Sequence, residues 1–299
     1  MNKDSKTVLI VGGPTSSGKT SYALKLAKEL NGELINADSR QIYKYLNIGT
    51  NKGTLNGDLE KSIDGIPIHL IDFLTPDKRF NVFEWRNAAL KVIKEIQFRG
   101  NVAIIVGGTG LYIDSLIKEY KFDNNYSVST DQKSLLKDLD TSNLIMLQNH
   151  FKQHLPSVWA SLNYSDQNNL RRLQRLVEKF QEEPKVLKET FETISDYVFY
   201  YPKYDWEELK QRINTRVEEM FNDGLVEETR NILRLGFDKD CLGLQIMGYK
   251  EVIRYLSEEI TFDTCKELVK ISHRQYARRQ RTWFEGDRRK YNLVLENFS

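Results

Sequence analysis

A short apolar run followed by a glycine-rich turn stands near the start of the chain. It reads Thr7-Val8-Leu9-Ile10-Val11-Gly12-Gly13-Pro14-Thr15-Ser16-Ser17-Gly18-Lys19-Thr20. The β-branched run predicts a buried strand. Apolar residues at helical spacing come after the turn, namely Ala23, Leu26, Ala27 and Leu30. A strand, a turn and a helix in this order predict an α/β fold with a parallel sheet.

The turn matches the phosphate-binding loop (P-loop) pattern G-x-x-x-x-G-K-[ST]. Its glycines allow successive backbone N–H groups to face phosphate oxygens, and the following helix N-terminus adds a favourable field. Lys19 adds a positive charge, and the Thr20 hydroxyl can coordinate Mg²⁺. We therefore expect a diphosphate or another phosphate ligand, with Mg²⁺, on this loop: Gly13, Pro14, Thr15, Ser16, Ser17, Gly18, Lys19 and Thr20.

Strands and helices continue to alternate through about residue 120, and a helix start is indicated by Asn81 with Glu84 three residues later. Further strands are predicted over 33–36, 66–71, 102–106 and 198–201. The carboxyl ends of parallel strands share one edge of a sheet. The turns Gly12–Thr20, Ala37–Gln41 and Gly107–Gly110 should therefore converge on one cleft.

Residues 121–195 are polar and mostly helical in period, with one apolar stripe at Leu170, Leu173, Val177 and Phe180. This predicts a helical insertion domain over 121–195. The P-loop core, a parallel sheet flanked by helices, is then built from 1–120 and 196–299, and its last part is mostly helical.

Asp38 directly follows the second strand and should face the phosphate site. It can ligate Mg²⁺ or accept a proton, although an Asp at this place can also be a helix N-cap. A nucleotide hydrolase of this fold would carry an acidic residue at the end of a strong later strand. The strongest strand ends instead in Gly107-Gly108. This disfavours an ATPase and leaves open a P-loop enzyme in which the bound diphosphate is a leaving group.

Further motifs follow the P-loop in order along the chain. They are Asp-Ser-Arg-Gln-Ile-Tyr (38–43), Asn-Ile-Gly-Thr-Asn-Lys (47–52), Gly-Ile-Pro-Ile-His-Leu-Ile-Asp (65–72), Val-Gly-Gly-Thr-Gly-Leu-Tyr (106–112), Asn-Leu-Arg-Arg-Leu-Gln-Arg-Leu-Val-Glu (169–178), Met-Phe-Asn-Asp-Gly-Leu-Val-Glu-Glu (220–228), Gln-Ile-Met-Gly-Tyr-Lys-Glu (245–251) and Arg-Gln-Tyr-Ala-Arg-Arg-Gln-Arg-Thr-Trp-Phe (274–284). Together they closely resemble the bacterial tRNA dimethylallyltransferases, also called tRNA isopentenyltransferases, over about residues 7–290.

The resemblance implies transfer of a dimethylallyl group from dimethylallyl diphosphate to N6 of adenosine 37, next to the tRNA anticodon. It implies catalytic roles for Asp38, Lys19, Thr20 and Thr109, with Mg²⁺ held by Thr20 and Asp38. It also implies that Lys250 and Arg216 contact the diphosphate or the tRNA. Residues near the target base would be Asp38, Ser39, Arg40, Gln41 and Thr109.

Two clusters of arginines are predicted to contact the tRNA. In the insertion they are Arg171, Arg172 and Arg175, where the family's usual first Gln is replaced by Arg. The chain has a net charge of only +2, but residues 270–290 carry eight basic residues against two acidic ones. Arg274, Arg278 and Arg281 share one helical stripe there, a pattern typical of phosphate-backbone contacts.

Cys241 and Cys265 are isolated, so neither a disulfide framework nor a zinc site is expected. We expect a cytoplasmic monomer without a membrane segment. Three alternatives remain open: an enzyme that prenylates free adenylate, a small-molecule kinase on the same P-loop, and a non-enzymatic RNA-binding protein that uses the loop as a switch.

Overall fold

The computed structural model describes residues 6–57, 60–118, 135–136, 139–181, 192–286 and 291–298. The chain divides into two compact units. The first comprises 1–120 with 192–299, and the second comprises 121–191. The insertion predicted over 121–195 therefore corresponds to a second unit that ends four residues earlier.

A seven-stranded sheet organises the described part of the first unit. Its strands are β1 (Val8–Gly12), β2 (Gly32–Asn36), β3 (Ser62–Ile63), β4 (Ile66–His69), β5 (Val102–Gly107), β6 (Tyr197–Pro202) and β7 (Leu293–Glu296). Their spatial order is β3-β4-β2-β5-β1-β6-β7. Neighbouring strands pair in parallel, except that β3 and β4 are antiparallel. The predicted parallel α/β core is confirmed.

Helices cover both faces of this sheet. They are α1 (Lys19–Leu30), α2 (Val82–Phe98) and α3 (Gly110–Ile117) in the first half of the chain. Leu9 and Val11 of β1 pack in one cluster with Ala23 of α1, whereas Ile10 packs in another with Trp85 of α2. This alternation is the period-2 pattern of a strand buried on both faces. Each fully buried apolar side chain contributes about 1.5–3 kcal/mol, so strand β1 is held firmly beneath the glycine-rich turn.

The predicted helix start at Asn81 is confirmed by its cap. Asn81 accepts hydrogen bonds from the backbone of Phe83 and Glu84, and the Glu84 side chain reciprocates to the Asn81 N–H. At the helix that begins at Trp206, the Asp205 carboxylate accepts hydrogen bonds from the backbone N–H groups of Glu207 and Glu208. Such caps satisfy N–H groups that have no partner inside the helix.

The remaining helices of the first unit follow β6. They are α8 (Trp206–Asn222), α9 (Leu225–Arg234), α10 (Tyr249–Leu256) and α11 (Phe262–Glu285). Within the described residues no helix combines the length and the apolar character that spanning a membrane requires.

The second unit is helical in its described part. Its helices are α4 (Leu144–His154), α5 (Pro156–Ser161), α6 (Tyr164–Gln167) and α7 (Leu170–Gln181). Leu173, Val177 and Phe180 of α7 pack with Leu147 and Phe151 of α4. The apolar stripe predicted from the sequence is therefore the buried face of α7.

One strand prediction differs from the structure, and two strands of the structure were not predicted. Strand β4 ends at His69 and not at residue 71, because Leu70 has a left-handed backbone (φ 57°) and its carbonyl accepts a hydrogen bond from the Asn36 side chain at 3.0 Å. Strand β3 has only two residues, too few for any periodicity. Strand β7 was not predicted, because Leu293–Glu296 pairs with β6, which is far away along the chain.

Candidate active site

The three predicted turns meet at the carboxyl edge of the sheet. They line one cavity of about 250 Å³ together with residues from β3, β4 and α8. Its lining includes Thr15, Ser16, Ser17, Gly18, Lys19, Thr20, Asp38, Gln41, Gly107, Arg216 and Gln280. The convergence predicted from strand order alone is therefore present.

The P-loop has the curled backbone that its glycines allow. Gly13 (φ 141°) and Gly18 (φ 85°) both lie at positive φ, where a side chain would be strained. The turn is closed by the Ser17 hydroxyl, which donates to the Pro14 carbonyl at 2.8 Å. Lys19 Nζ donates to the same carbonyl at 2.5 Å. The loop is thus preorganised, with its lysine folded back over it.

Lys19 and Arg216 share the cavity with the Asp38 carboxylate. Burial lowers the pKa of Lys19 to about 7; nearby Asp38 opposes that shift, and the charge of Arg216 adds to it. Burial also lowers the pKa of Arg216 to about 10, against the opposing effect of Asp38. The Arg216 guanidinium lies 3.4 Å from the Thr15 hydroxyl and 3.3 Å from the Ser16 hydroxyl. Desolvated cations beside an anion-binding loop favour a multiply charged anion.

The Asp38 turn is held by hydrogen bonds on both sides. Asn36 accepts from the Asp38 N–H at 3.1 Å and donates to the Asp38 carbonyl at 3.1 Å. One carboxylate oxygen of Asp38 accepts from the Arg40 N–H at 2.9 Å. Within the described residues a turn and not a helix follows Asp38, so the carboxylate caps a turn; Asp38 also lines the cavity. The structural and functional interpretations are therefore compatible.

Thr109 joins the second glycine-rich turn to the Asp38 turn. Its hydroxyl oxygen accepts from the Ser39 N–H at 3.0 Å and lies 3.3 Å from the Ser39 hydroxyl. A Cβ on Gly107 would lie 2.3 Å from the Ala37 carbonyl carbon, so only glycine allows the two turns to approach this closely. Gln41 instead faces the 47–52 segment, where its amide donates to the carbonyls of Thr50 and Asn51.

The donor set suits Mg²⁺ when substrate oxygens complete it. Thr20 and Asp38 line the same cavity and offer a hydroxyl and a carboxylate. Across the described ranges, no three His, Cys, Asp or Glu side chains come together as a metal site. Mg²⁺ commonly binds through one or two protein oxygens, with phosphate oxygens and waters in the other positions.

Comparison with known proteins identifies the family. The family model described as "IPP transferase" matches residues 41–289. The chain belongs to the IPP transferase family. A tRNA dimethylallyltransferase of Thermoanaerobacter sp. is 38% identical over 93% of this chain and 89% of its own. One of Staphylococcus aureus is 36% identical over 100% of this chain and 96% of its own.

Solved structures agree with this assignment. A tRNA isopentenylpyrophosphate transferase from Bacillus halodurans superposes with a TM-score of 0.69 at 31% identity, covering 98% of this chain and 90% of its own. A eukaryotic dimethylallyltransferase described as acting on tRNA has a TM-score of 0.77 at 26% identity, covering 99% and 74%. These neighbours also have the P-loop fold of this IPP transferase.

Lys250 lies outside the cavity of the P-loop. In this IPP transferase it lines a separate cavity of about 300 Å³ with Arg40 and Arg279, and its Nζ lies 3.7 Å from the Glu251 carboxylate. The Arg40 guanidinium stacks over the Tyr276 ring at 3.4 Å from the centroid. Lys250 therefore lies beside the Asp38 turn and α11, and not beside the P-loop.

Three residues form the arginine stripe of α11: Arg274, Arg278 and Arg281. Arg274 donates to the Asn214 side chain of α8 at 2.6 Å. Arg281 lies 3.2 Å from Glu285 and 5.3 Å from the Trp206 ring. Arg278 is exposed. The stripe therefore faces α8 and solvent, while the opposite face of α11 contacts the active site. Arg288, Arg289 and Lys290, which add to the charge of the segment, lie outside the described residues.

The insertion arginines lie together on α7 of the second unit. Arg172 pairs with Asp166, and Arg171 lies 3.4 Å from Glu178. Arg175 is exposed. Their contact with tRNA stays a prediction.

Sequence reasoning did not name several residues of the cavity lining as site residues, and Gln280 is the one farthest from the P-loop along the chain. Gln280 lines it from α11, although it stands 260 residues after Thr20. Arg216 was named only through the resemblance. The only local signal for Gln280 is its place within the 274–284 motif.

Proposed function

We propose that this IPP transferase moves the dimethylallyl group of dimethylallyl diphosphate to N6 of adenosine 37 in the tRNA anticodon loop. The observation that carries the proposal is one cavity that joins the P-loop to Asp38. A leaving-group site and a proton acceptor are thereby neighbours. The curated relatives, named tRNA dimethylallyltransferases, support the assignment.

In the proposed reaction, the N6 lone pair of adenine attacks the first carbon of the prenyl group. The N–C bond forms as the carbon–oxygen bond to diphosphate breaks, and the oxygen keeps that electron pair. The N6 proton passes to the free oxygen of the Asp38 carboxylate. Because the adenine amine is weakly nucleophilic, removing this proton assists attack.

The leaving diphosphate gains negative charge in the transition state. Lys19, Arg216 and the backbone N–H groups of the P-loop are positioned to stabilise that charge. We also propose that Thr20 and Asp38 hold Mg²⁺, which would supply further charge neutralisation on the diphosphate oxygens.

On the acceptor side, we propose that the target adenine leaves the loop stack to reach Asp38, since a stacked base cannot enter a buried cavity. Ser39, Arg40, Gln41 and Thr109 would surround it. The arginines of α7 and α11 would contact the RNA backbone: Arg171, Arg172, Arg175, Arg274, Arg278 and Arg281. We further propose that the enzyme acts as a cytoplasmic monomer.

Asp38→Ala tests the assignment of the base. Loss of the proton acceptor should lower transfer by about 10²–10⁴-fold, while RNA affinity, measured by filter binding, stays within a few-fold. Asp64→Asn is the matched control, since Asp64 is an exposed carboxylate whose partner is Lys28 at 3.7 Å. Full transfer by Asp38→Ala would overturn the assignment.

Acceptor and donor competition separate this function from its alternatives. Prenylation of free AMP in preference to an anticodon stem-loop would indicate an adenylate prenyltransferase. Transfer of labelled γ-phosphate from ATP would indicate a kinase. Binding of the stem-loop without release of diphosphate would indicate a non-enzymatic RNA-binding protein.

A further inference from the structure

The Gln280 side chain bridges two turns of the active site. Gln280 lies on α11 and is only 4% exposed. Its side-chain oxygen accepts from the Thr15 N–H of the P-loop at 2.8 Å, and its side-chain nitrogen donates to the Gly108 carbonyl at 3.0 Å. Both ends of one buried amide are therefore used, one on each glycine-rich turn.

The bridge leaves no room for a side chain opposite it. A Cβ on Gly108 would lie 1.9 Å from the Gln280 side-chain nitrogen and 3.0 Å from the Gly13 carbonyl oxygen. The Gly108 turn and the P-loop are thus held at the separation that one glutamine spans. An apolar residue of the same length would fill the space and leave a buried N–H and a buried carbonyl unpaired, which is costly.

The same face of α11 contacts the acceptor side of the site. Tyr276, one turn before Gln280, stacks against Arg40 of the Asp38 turn. Trp283, one turn after it, covers Gly110, where a Cβ would lie 2.2 Å from the indole ring. One helix face therefore contacts all three turns that form the cavity, and Gln280 is its central member.

We propose that Gln280 is a positioning residue that fixes the P-loop relative to the Gly108 turn and thereby aligns the diphosphate with Asp38. This inference rests on the proposed function. The Gln280 side chain acts through the backbone of Thr15 and Gly108 and needs no contact with the substrate. Misplacement of reacting groups by about 1 Å can cost about 10²-fold in rate, so the effect belongs in kcat and not in binding.

Gln280→Met removes both hydrogen bonds with little change in volume or charge. We expect kcat for stem-loop prenylation to fall about 100-fold, with KM for dimethylallyl diphosphate and Kd for the RNA within about threefold. Gln97→Met on α2, which loses an exposed side-chain hydrogen bond to the Lys6 carbonyl, is the matched control and should keep wild-type kcat. Equal losses in both variants, or a Gln280→Met defect confined to KM, would overturn the inference.

Gly108→Ala tests the bridge from its other end and carries the test alone if Gln280→Met does not fold. It should reproduce the kcat loss, and the double variant should lose no more than either single one, because both remove the same link. Additive losses would contradict the bridge. Failure of the wild-type enzyme to prenylate the stem-loop would overturn the proposed function instead, whereas an active wild type with an equally active Gln280→Met overturns only this inference.

Discussion

The P-loop and the arginine stripe of α11 are both proposed to bind phosphate, but their surroundings in the structure differ. In the P-loop cavity, Lys19 and Arg216 are desolvated, and burial lowers the pKa of each. On the stripe, Arg278 is exposed, while Arg274 and Arg281 already have partners on the protein. The cavity therefore holds buried cations, whereas the stripe is a solvated or partnered surface.

The difference teaches how the two regions should respond to change. A buried cation interacts strongly with its anion because little water screens the pair. An exposed cation is weakened by salt and gains little from a single contact. We therefore expect catalysis to depend on the P-loop cavity, and we expect surfaces such as the stripe to contribute to RNA attraction.

Among the changes that compare the P-loop cavity with the stripe, Lys19→Ala should have the largest effect. Removing this donor from the developing charge of the leaving group should lower kcat by about 10²–10³-fold. Single-turnover prenylation of the stem-loop measures it. Lys25→Ala, an exposed cation on α1, should leave the rate unchanged. Similar rates for Lys19→Ala and wild type would show that the cavity cations are not needed for transfer.

A change of pH should have an intermediate effect, which acts on diphosphate affinity. Because the pKa of Lys19 is about 7 in the unliganded protein, diphosphate affinity should fall as pH rises from 7.5 to 9, by at most about tenfold per unit. Calorimetric titration of diphosphate measures this, and Lys19→Ala should show a flatter profile. An affinity that rises with pH in wild type would contradict the account.

The titration of Lys19 should affect folding stability with the opposite sign to its effect on diphosphate affinity. The unfolded chain holds the Lys19 proton up to its ordinary pKa of 10.5, and the folded chain releases it near 7. The unfolded state therefore binds more protons between these values, so the contribution of Lys19 to the free energy of unfolding rises with pH across that window. Chemical denaturation without ligand, compared between wild type and Lys19→Ala, detects this contribution.

The smallest effect is expected from the stripe. Arg278→Ala should weaken RNA binding by about 2- to 5-fold and reduce the salt slope of binding by about 1. Diphosphate affinity should not change. Lys91→Ala, an exposed cation on α2, is the control. An unchanged salt slope would remove the stripe from the RNA-binding surface.

Much of the fold could be predicted because its signals are local. The β1 run, the P-loop and the Asn81 cap each lie within a few residues, so propensity and spacing determine them. Strand β7 could not be predicted, since it forms only by pairing with β6, and the two-residue β3 has no periodicity at all.

The candidate site shows the same division. Asp38 and Thr109 could be placed from strand order, because parallel strands end at one edge. Gln280 could not, since only the packing of α11 brings it to Thr15 and Gly108. The arginine stripe was visible as charge, but charge spacing did not reveal that Asn214 and Glu285 already engage two of its members.

The measurement closest to the central claim is mass spectrometry of an anticodon stem-loop RNA after incubation with this enzyme, dimethylallyl diphosphate and Mg²⁺. The account predicts that one adenosine next to the anticodon exchanges a hydrogen for a dimethylallyl group, with one diphosphate released for each. An unmodified RNA under these conditions, with active relatives as positive controls, would contradict it.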